Sequence, residues 1–257
     1  MDFDSKMLDR SAQTEQFADD VITHFFASLD KFKKMSKEER VKSIQDSLSL
    51  GKLSAEEIDE ILPFIELVDS LDDVKRTGWN KKPEPNDVME IKERKVAQAE
   101  DVALHTYGLI NLGLLVANDR PEINVPRLIK TIAVHDMAEK ITGDQVTAGK
   151  TDEAALVEAK AIYEEQSMKI ICAALEDPLR SEVFALWEQY EKKETPEAKL
   201  LYQLDKLEAV IQAYNYARVP GNIVDPQEFI NSARKKITDP KLQRILEHVE
   251  RFTQQKK

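Results

Sequence analysis

Of the four histidines in this 257-residue chain, two lie inside apolar stretches: His105 in AEDVALHTYGLINLGLLVA and His135 in LIKTIAVHDMAEKITGDQ. An imidazole in such a setting is most simply a hydrogen-bonded core residue, but His135 is followed directly by Asp136. A carboxylate among Ala133, Val134, Met137 and Ala138 must be paired, coordinated or neutralised to tolerate burial, and a cation would satisfy both neighbours. Glu139 follows His135 by four residues, so the two project from one helix face about one turn apart. Thr142-Gly143-Asp144 then supplies a glycine for a tight turn at the helix end and brings Asp144 to the same place. A further carboxylate, Asp205, sits at the margin of the apolar stripe Leu200, Leu201, Leu204, Leu207, Val210, Ile211 and Tyr214; its simplest alternative reading is an exposed partner of Lys206 or Lys199. Two imidazoles and two carboxylates make a nitrogen and oxygen set suited to Mn, Co, Fe, Zn or Mg rather than to thiophilic ions.

Other chemistries lack their residues. A single cysteine, Cys172, rules out zinc-finger spacing and an internal disulfide, and no Walker loop, GxSxG elbow or GxGxxG turn is present. A ferritin-like di-iron bundle needs Glu-x-x-His on two helices, and neither His105 nor His135 has Glu three residues before it. With 37 Lys or Arg against 48 Asp or Glu, the formal net charge is −11, which excludes a binder of nucleic-acid polymers or of membrane surfaces, since both need a basic face. The start, MDFDSKMLDR, shows neither a secretory nor a transit signal, no apolar run reaches the ~20 residues of a membrane span, and the lone thiol suits a reducing compartment. A cytoplasmic protein is expected.

The elements that must position these residues read as helices throughout. Only 7 glycines occur where ~7% usage would give roughly 18, and Asn-Gly and Asp-Gly turns are absent. Ser36 with Glu39 and Ser54 with Glu57 have capping-box spacing, while Asp177-Pro178, Thr195-Pro196, Asp225-Pro226 and Asp239-Pro240 each set a capping side chain before a first-turn proline. The spacing predicts helices over roughly 14–33, 36–50, 54–73, 86–118, 126–141, 152–175, 178–193, 196–218, 226–235 and 240–254. The fold class is therefore all-α. The charged first part, including KKMSKEER, reads as an appended helical layer, which puts an N-terminal helical extension at 1–61 and the main domain at 62–257.

The order His105, then His135-Asp136, then Asp205, all on helices, resembles the HD-domain metal-dependent phosphohydrolases. VHDMAEKITGD, LLYQLDKLEAVIQAYNYAR and the upstream KRTGW are similar to the small HD-domain 5'-deoxynucleotidases, the HD domain-containing protein 2 type among them. The likeness covers about residues 62–245. It implies an HD-domain helical bundle, His105, His135, Asp136 and Asp205 as ligands of one divalent ion, and a homodimer. By the same resemblance Glu139 would hold the attacking water or protonate the leaving oxygen. Asp144 would bind the sugar hydroxyl that separates deoxyribose from ribose, and Arg76 and Trp79 would contact phosphate and nucleoside. The substrate would be a deoxyribonucleoside 5'-monophosphate, cleaved by direct water attack. Where the family pattern has an acidic residue before the first ligand histidine and an arginine three after it, this chain has Leu104 and Gly108, and an insertion containing NDVMEIKERKVAQ separates RTGW from His105. Those departures leave two other readings: hydrolysis of a different nucleotide phosphate ester, or a catalytically silent helical binding module.

Overall fold

The computed structural model describes Ser36, Glu39 and residues 70–82, 92–147 and 150–254. The helices expected over 14–33, 36–50 and most of 54–73 lie outside the described residues, but the predicted capping box at Ser36 is made in both directions. Glu39 N donates to Ser36 Oγ at 3.2 Å, and Ser36 N donates to the Glu39 carboxylate at 2.7 Å. The described helices are α1 (Val102–Ala117), α2 (Val125–Val134), the single turn α3 (Glu139–Thr142), α4 (Glu153–Ala173), α5 (Leu179–Glu191), α6 (Pro196–Tyr216), α7 (Pro226–Arg234) and α8 (Pro240–Gln254). The all-α expectation holds: the described residues contain no strand, and such pairing as occurs outside helices is by isolated bridges, Lys81–Arg94 and Lys95–Ile223 among them. No described helix is long and apolar enough to cross a membrane.

Predicted caps are used. Thr195 Oγ1 accepts from Ala198 N at 3.1 Å and Asp225 Oδ1 from Gln227 N at 3.0 Å, while Asp239 Oδ1 takes both Lys241 N and Leu242 N. Asp101 caps α1 through Leu104 N at 2.8 Å. Each such bond satisfies an amide that the helix leaves without an internal partner and is worth about 1 kcal/mol.

The chain divides into two compact units: residues to Lys75 together with Met137–Phe184, and Arg76–Asp136 together with Ala185 onward. In the second, α6 is the central element and packs against α1, α2, α7 and α8. Its Leu201, Leu204, Leu207 and Val210 are completely buried, beside Leu109 of α1, Leu128 and Ile132 of α2, Ile230 of α7 and Leu242 of α8. Burying each Leu contributes roughly 1.5–3 kcal/mol, so this stripe fixes the rotation of α6 about its axis and hence the direction in which Asp205 points. A smaller cluster gathers Trp79, Val96, Ala213 and Tyr216, with Phe229 stacked on the Trp79 ring at 4.9 Å. In the first unit, α3 packs on α4 and on the 3-10 turn Ser70–Asp72.

Two predicted helices are shorter than their patterns. The helix expected from 86 starts at Val102, because residues 92–101 are drawn into tertiary pairs: Arg94 bonds Glu228 at 2.6 Å and stacks on Phe229, and Lys95 exchanges backbone bonds with Ile223. These partners lie more than a hundred residues away, so local periodicity carries no trace of them. The helix expected over 126–141 stops at Val134, turns through His135–Ala138 and resumes as α3. At the break, His135 Nδ1 donates to the Ile132 carbonyl at 2.7 Å, a side-chain competitor for an oxygen of the helix's last turn. Gly143 ends α3 at φ 68°, a backbone that favours glycine, at the tight turn expected of it.

Candidate metal centre

Arg76, Trp79, His105, His135, Asp136 and Asp205 all belong to the unit built around α6. His105 projects from the buried face of α1 and is fully buried, and His135, at the end of α2, is 3% exposed. Their rings lie 5.9 Å apart, centroid to centroid. His135 Nε2 is 3.1 Å from Asp136 Oδ2; His105 Nε2 is 3.9 Å from the same oxygen and 3.3 Å from Asp205 Oδ1. Neither Nε2 makes a hydrogen bond of acceptable geometry, although both are buried. Ligands held ~2.0–2.2 Å from one ion stand roughly 3–4 Å from each other, as these three pairs do; His105, His135 and Asp136 offer atoms all within 4.8 Å of one another, and Asp205 joins them through His105. Two buried imidazole nitrogens without hydrogen bonds, turned toward two carboxylates, are a chemically sensible set for a divalent cation, and the residues fit the group.

The remaining nitrogen of each ring is committed. His135 Nδ1 is bonded to the Ile132 carbonyl, and His105 Nδ1 to Glu208 Oε2 at 2.8 Å. Burial and Arg76 pull the His105 pKa down, but Asp205 and Glu208 outweigh them and hold it up at about 10 without a bound cation. Burial would raise both aspartates; His135, His105 and Arg76 instead hold Asp136 low, and Lys206, His105 and Arg76 hold Asp205 well below its ordinary value. Both are therefore ionised and ready to coordinate. Lys206 Nζ lies 2.6 Å from Asp205 Oδ2, so the partner that a surface reading assigned to Asp205 is real and coexists with the His105 contact.

Arg76 precedes the 3-10 turn Thr77–Trp79, with one guanidinium nitrogen 3.7 Å from Asp136 and another 4.0 Å from Glu100. Trp79 is 2% exposed; its indole N–H donates to Glu100 Oε1 at 3.0 Å and its ring packs between Tyr216 and Phe229. Glu100 is itself buried, which with nearby Glu208 raises its pKa to about 7 against His105, Arg76 and Trp79.

Glu139 and Asp144 belong to the other unit. Glu139 is buried on α3, with Lys160 Nζ of α4 at 3.4 Å; the same ammonium is 3.3 Å from Glu164 and reaches the Gln145 carbonyl. Asp144 is half-buried just past Gly143. Sequence reasoning missed Glu100, Glu208 and Lys160. For Glu208 a signal existed, since it stands three residues after Asp205 and so shares its helix face; for Glu100 and Lys160 none did.

Residues 68–246 match the family model for the HD domain, well over half of the chain. The chain belongs to the HD-domain family. Among HD-domain relatives, it is 35% identical to the 5'-deoxynucleotidase HDDC2 of Danio rerio over 74% of this chain and 86% of that protein. It is 32% identical to the 5'-deoxynucleotidase HDDC2 of Homo sapiens over 79% and 91%. The solved structure of the PH0347 protein from Pyrococcus horikoshii OT3 aligns with 74% of the chain and 98% of its own, at 27% identity and a TM-score of 0.53.

Proposed function

We propose that this protein is a divalent-metal-dependent 5'-deoxynucleotidase that hydrolyses deoxyribonucleoside 5'-monophosphates to deoxyribonucleoside and phosphate. The observation that carries the reading is the pair of buried Nε2 atoms of His105 and His135 facing Asp136 and Asp205, with Arg76 alongside. The name shared by the relatives, 5'-deoxynucleotidase, supports the substrate class.

His105, His135, Asp136 and Asp205 would hold the ion, one of Mn, Co, Mg, Fe or Zn, which when bound would supply Lewis acidity toward a phosphoryl oxygen and toward water. Arg76 offers a fork of N–H donors to the other phosphoryl oxygens. Its neighbours Asp136 and Glu100 aim the guanidinium before substrate arrives. Trp79 acts through Glu100, since its N–H steadies the carboxylate beside Arg76. Glu139 takes the proton of the attacking water and returns it to the 5'-oxygen as the P–O bond breaks, and Lys160 keeps that carboxylate in place. Asp144, an acceptor only, selects among sugars by the hydroxyl it can bind.

The remaining assignments are a cytoplasmic homodimer in which the HD domain, 62–257, carries the extension 1–61. The start of the family match at residue 68 supports the division, the single buried Cys172 supports a reducing compartment, and the exposed Leu104, Tyr107, Leu114 and Leu115 on helix α1, which has no Asp, Glu, Lys or Arg, support self-association. Phosphate release from dAMP, dCMP, dGMP and TMP, compared with AMP, in Mn, Co or Mg, tests the activity. Turnover of the deoxy substrates that is lost in His135→Ala supports it; no release from any deoxy substrate by metal-replete protein refutes it.

A further inference from the structure

The two imidazoles of the centre are held differently at their far nitrogens. His135 Nδ1 meets a neutral backbone carbonyl of its own helix, whereas His105 Nδ1 meets the carboxylate of Glu208, carried by α6. Glu208 follows Asp205 by three residues, so one helix face grips the His105 ring on both sides, with Asp205 Oδ1 3.3 Å from Nε2 and Glu208 Oε2 2.8 Å from Nδ1. With the proton of the Glu208 bond on Nδ1, Nε2 is the ring atom left to ligate, and it faces Asp136 and Asp205. A charged acceptor also makes an imidazole a stronger donor to a cation than a carbonyl does.

The packing leaves room for this contact at one place. Gly108 stands three residues after His105 on α1, and a Cβ there would come within 3.2 Å of Glu208 Oε1. A side chain at 108, where the family pattern has arginine, would press on the carboxylate that holds the ligand, which would have to shift by a few tenths of an ångström. Glu100 lies on the far side, its carboxylate, that of Glu208 and a His105 nitrogen all within 4.8 Å of one another.

We infer that Glu208 is a positioning residue for the metal centre: it fixes the tautomer and orientation of His105 and thereby sets the affinity of the site for its divalent cation. The inference rests on the reading of His105 as a ligand. It treats the Glu100–His105–Glu208 group as the support of the one ion site, not as a second ion site, because the Nδ1 that a second ion would need already carries the proton shared with Glu208.

The test is titration of the full-length, metal-free protein with Co²⁺, followed by calorimetry and by visible absorption, for wild type, Glu208→Gln, Glu208→Ala and His135→Ala, with thermal unfolding of each metal-free protein as a check on folding. Removing such an outer carboxylate costs about 10- to 100-fold in metal affinity. Glu208→Ala should lose that much and show an altered Co²⁺ spectrum; Glu208→Gln, whose amide oxygen still accepts from Nδ1–H, should recover most of the affinity and the wild-type spectrum. Wild-type affinity in Glu208→Ala, no recovery in Glu208→Gln, or two Co²⁺ per chain overturns the inference. A second measurement does not depend on a variant folding: ¹⁵N spectra of the histidine side chains in Zn²⁺-loaded wild type should show His105 protonated at Nδ1, and protonation at Nε2 or ligation through Nδ1 contradicts it. The underlying reading fails separately, and takes the inference with it, if wild type binds no Co²⁺ or His135→Ala binds it as tightly. Binding that His135→Ala abolishes but Glu208→Ala leaves intact sinks the Glu208 role alone.

Discussion

His105 and Asp205 stand on long, capped helices whose apolar stripes are locked into one core, whereas His135 and Asp136 stand where α2 gives out. The first pair is aimed by packing: the rotation of α1 and α6 is set by Leu109, Leu201, Leu204 and Leu207, and the charged residues follow. The second pair is aimed by local geometry, through the His135 bond to Ile132 and the turn that follows. A ligand set divided in this way has a stiff half, which depends on the core, and a half whose aim is set within a few residues.

Replacing the two histidines breaks the comparison most strongly. Both His135→Ala and His105→Ala should lose phosphate release on the order of 10³-fold or more, several kcal/mol of catalysis at 1.36 kcal/mol per decade. They should differ in stability. His105→Ala leaves the buried Glu208 and Glu100 carboxylates without their imidazole and should cost roughly 1–3 kcal/mol in urea unfolding of metal-free protein, while His135→Ala frees one carbonyl and leaves Asp136 still held by His105 and Arg76, and should cost less. Equal costs would remove the distinction between the halves.

Glu139→Gln should lower kcat by roughly 10²- to 10⁴-fold with Co²⁺ affinity unchanged, since the residue acts on the proton and does not ligate. Loss of metal binding in that variant would give Glu139 a different part.

Titration separates the halves more finely. The His105 pKa in the folded, metal-free protein is about 10 against an ordinary 6.5, so its contribution to stability is fully present below pH 6.5 and is lost as the pH climbs toward 10. Unfolding temperatures of metal-free wild type should therefore fall across that window more steeply than those of His105→Gln. With a divalent cation bound, the difference should vanish, because the ion has displaced the proton.

How far the sequence carries the centre follows from what each residue answers to. His135, Asp136 and Glu139 are legible because their spacing and their apolar neighbours are local facts, and the caps at Thr195, Asp225 and Asp239 are legible for the same reason. The all-α fold and the face of α6 follow from periodicity. Glu208 and Glu100 escape notice because their importance arises only when α1 lies against α6, and the extended stretch at 92–101 follows Glu228 and Ile223, far along the chain. Trp79, expected at the nucleoside, lies inside the second cluster, where its indole N–H holds Glu100.

The smallest expected effect isolates the stiff half alone. Thr195→Ala removes the cap of α6 and should cost about 1 kcal/mol in urea unfolding while leaving kcat unchanged, because the apolar stripe still aims Asp205. A large fall in kcat would show that the helix start, and not the core, sets that direction.

Crystals of the protein soaked in Mn²⁺ and measured at an anomalous wavelength test the central claim directly. One ion should appear per chain, within ~2.0–2.3 Å of His105 Nε2, His135 Nε2 and oxygens of Asp136 and Asp205. A protein that takes up no ion, or that holds it away from these four side chains, would contradict the account.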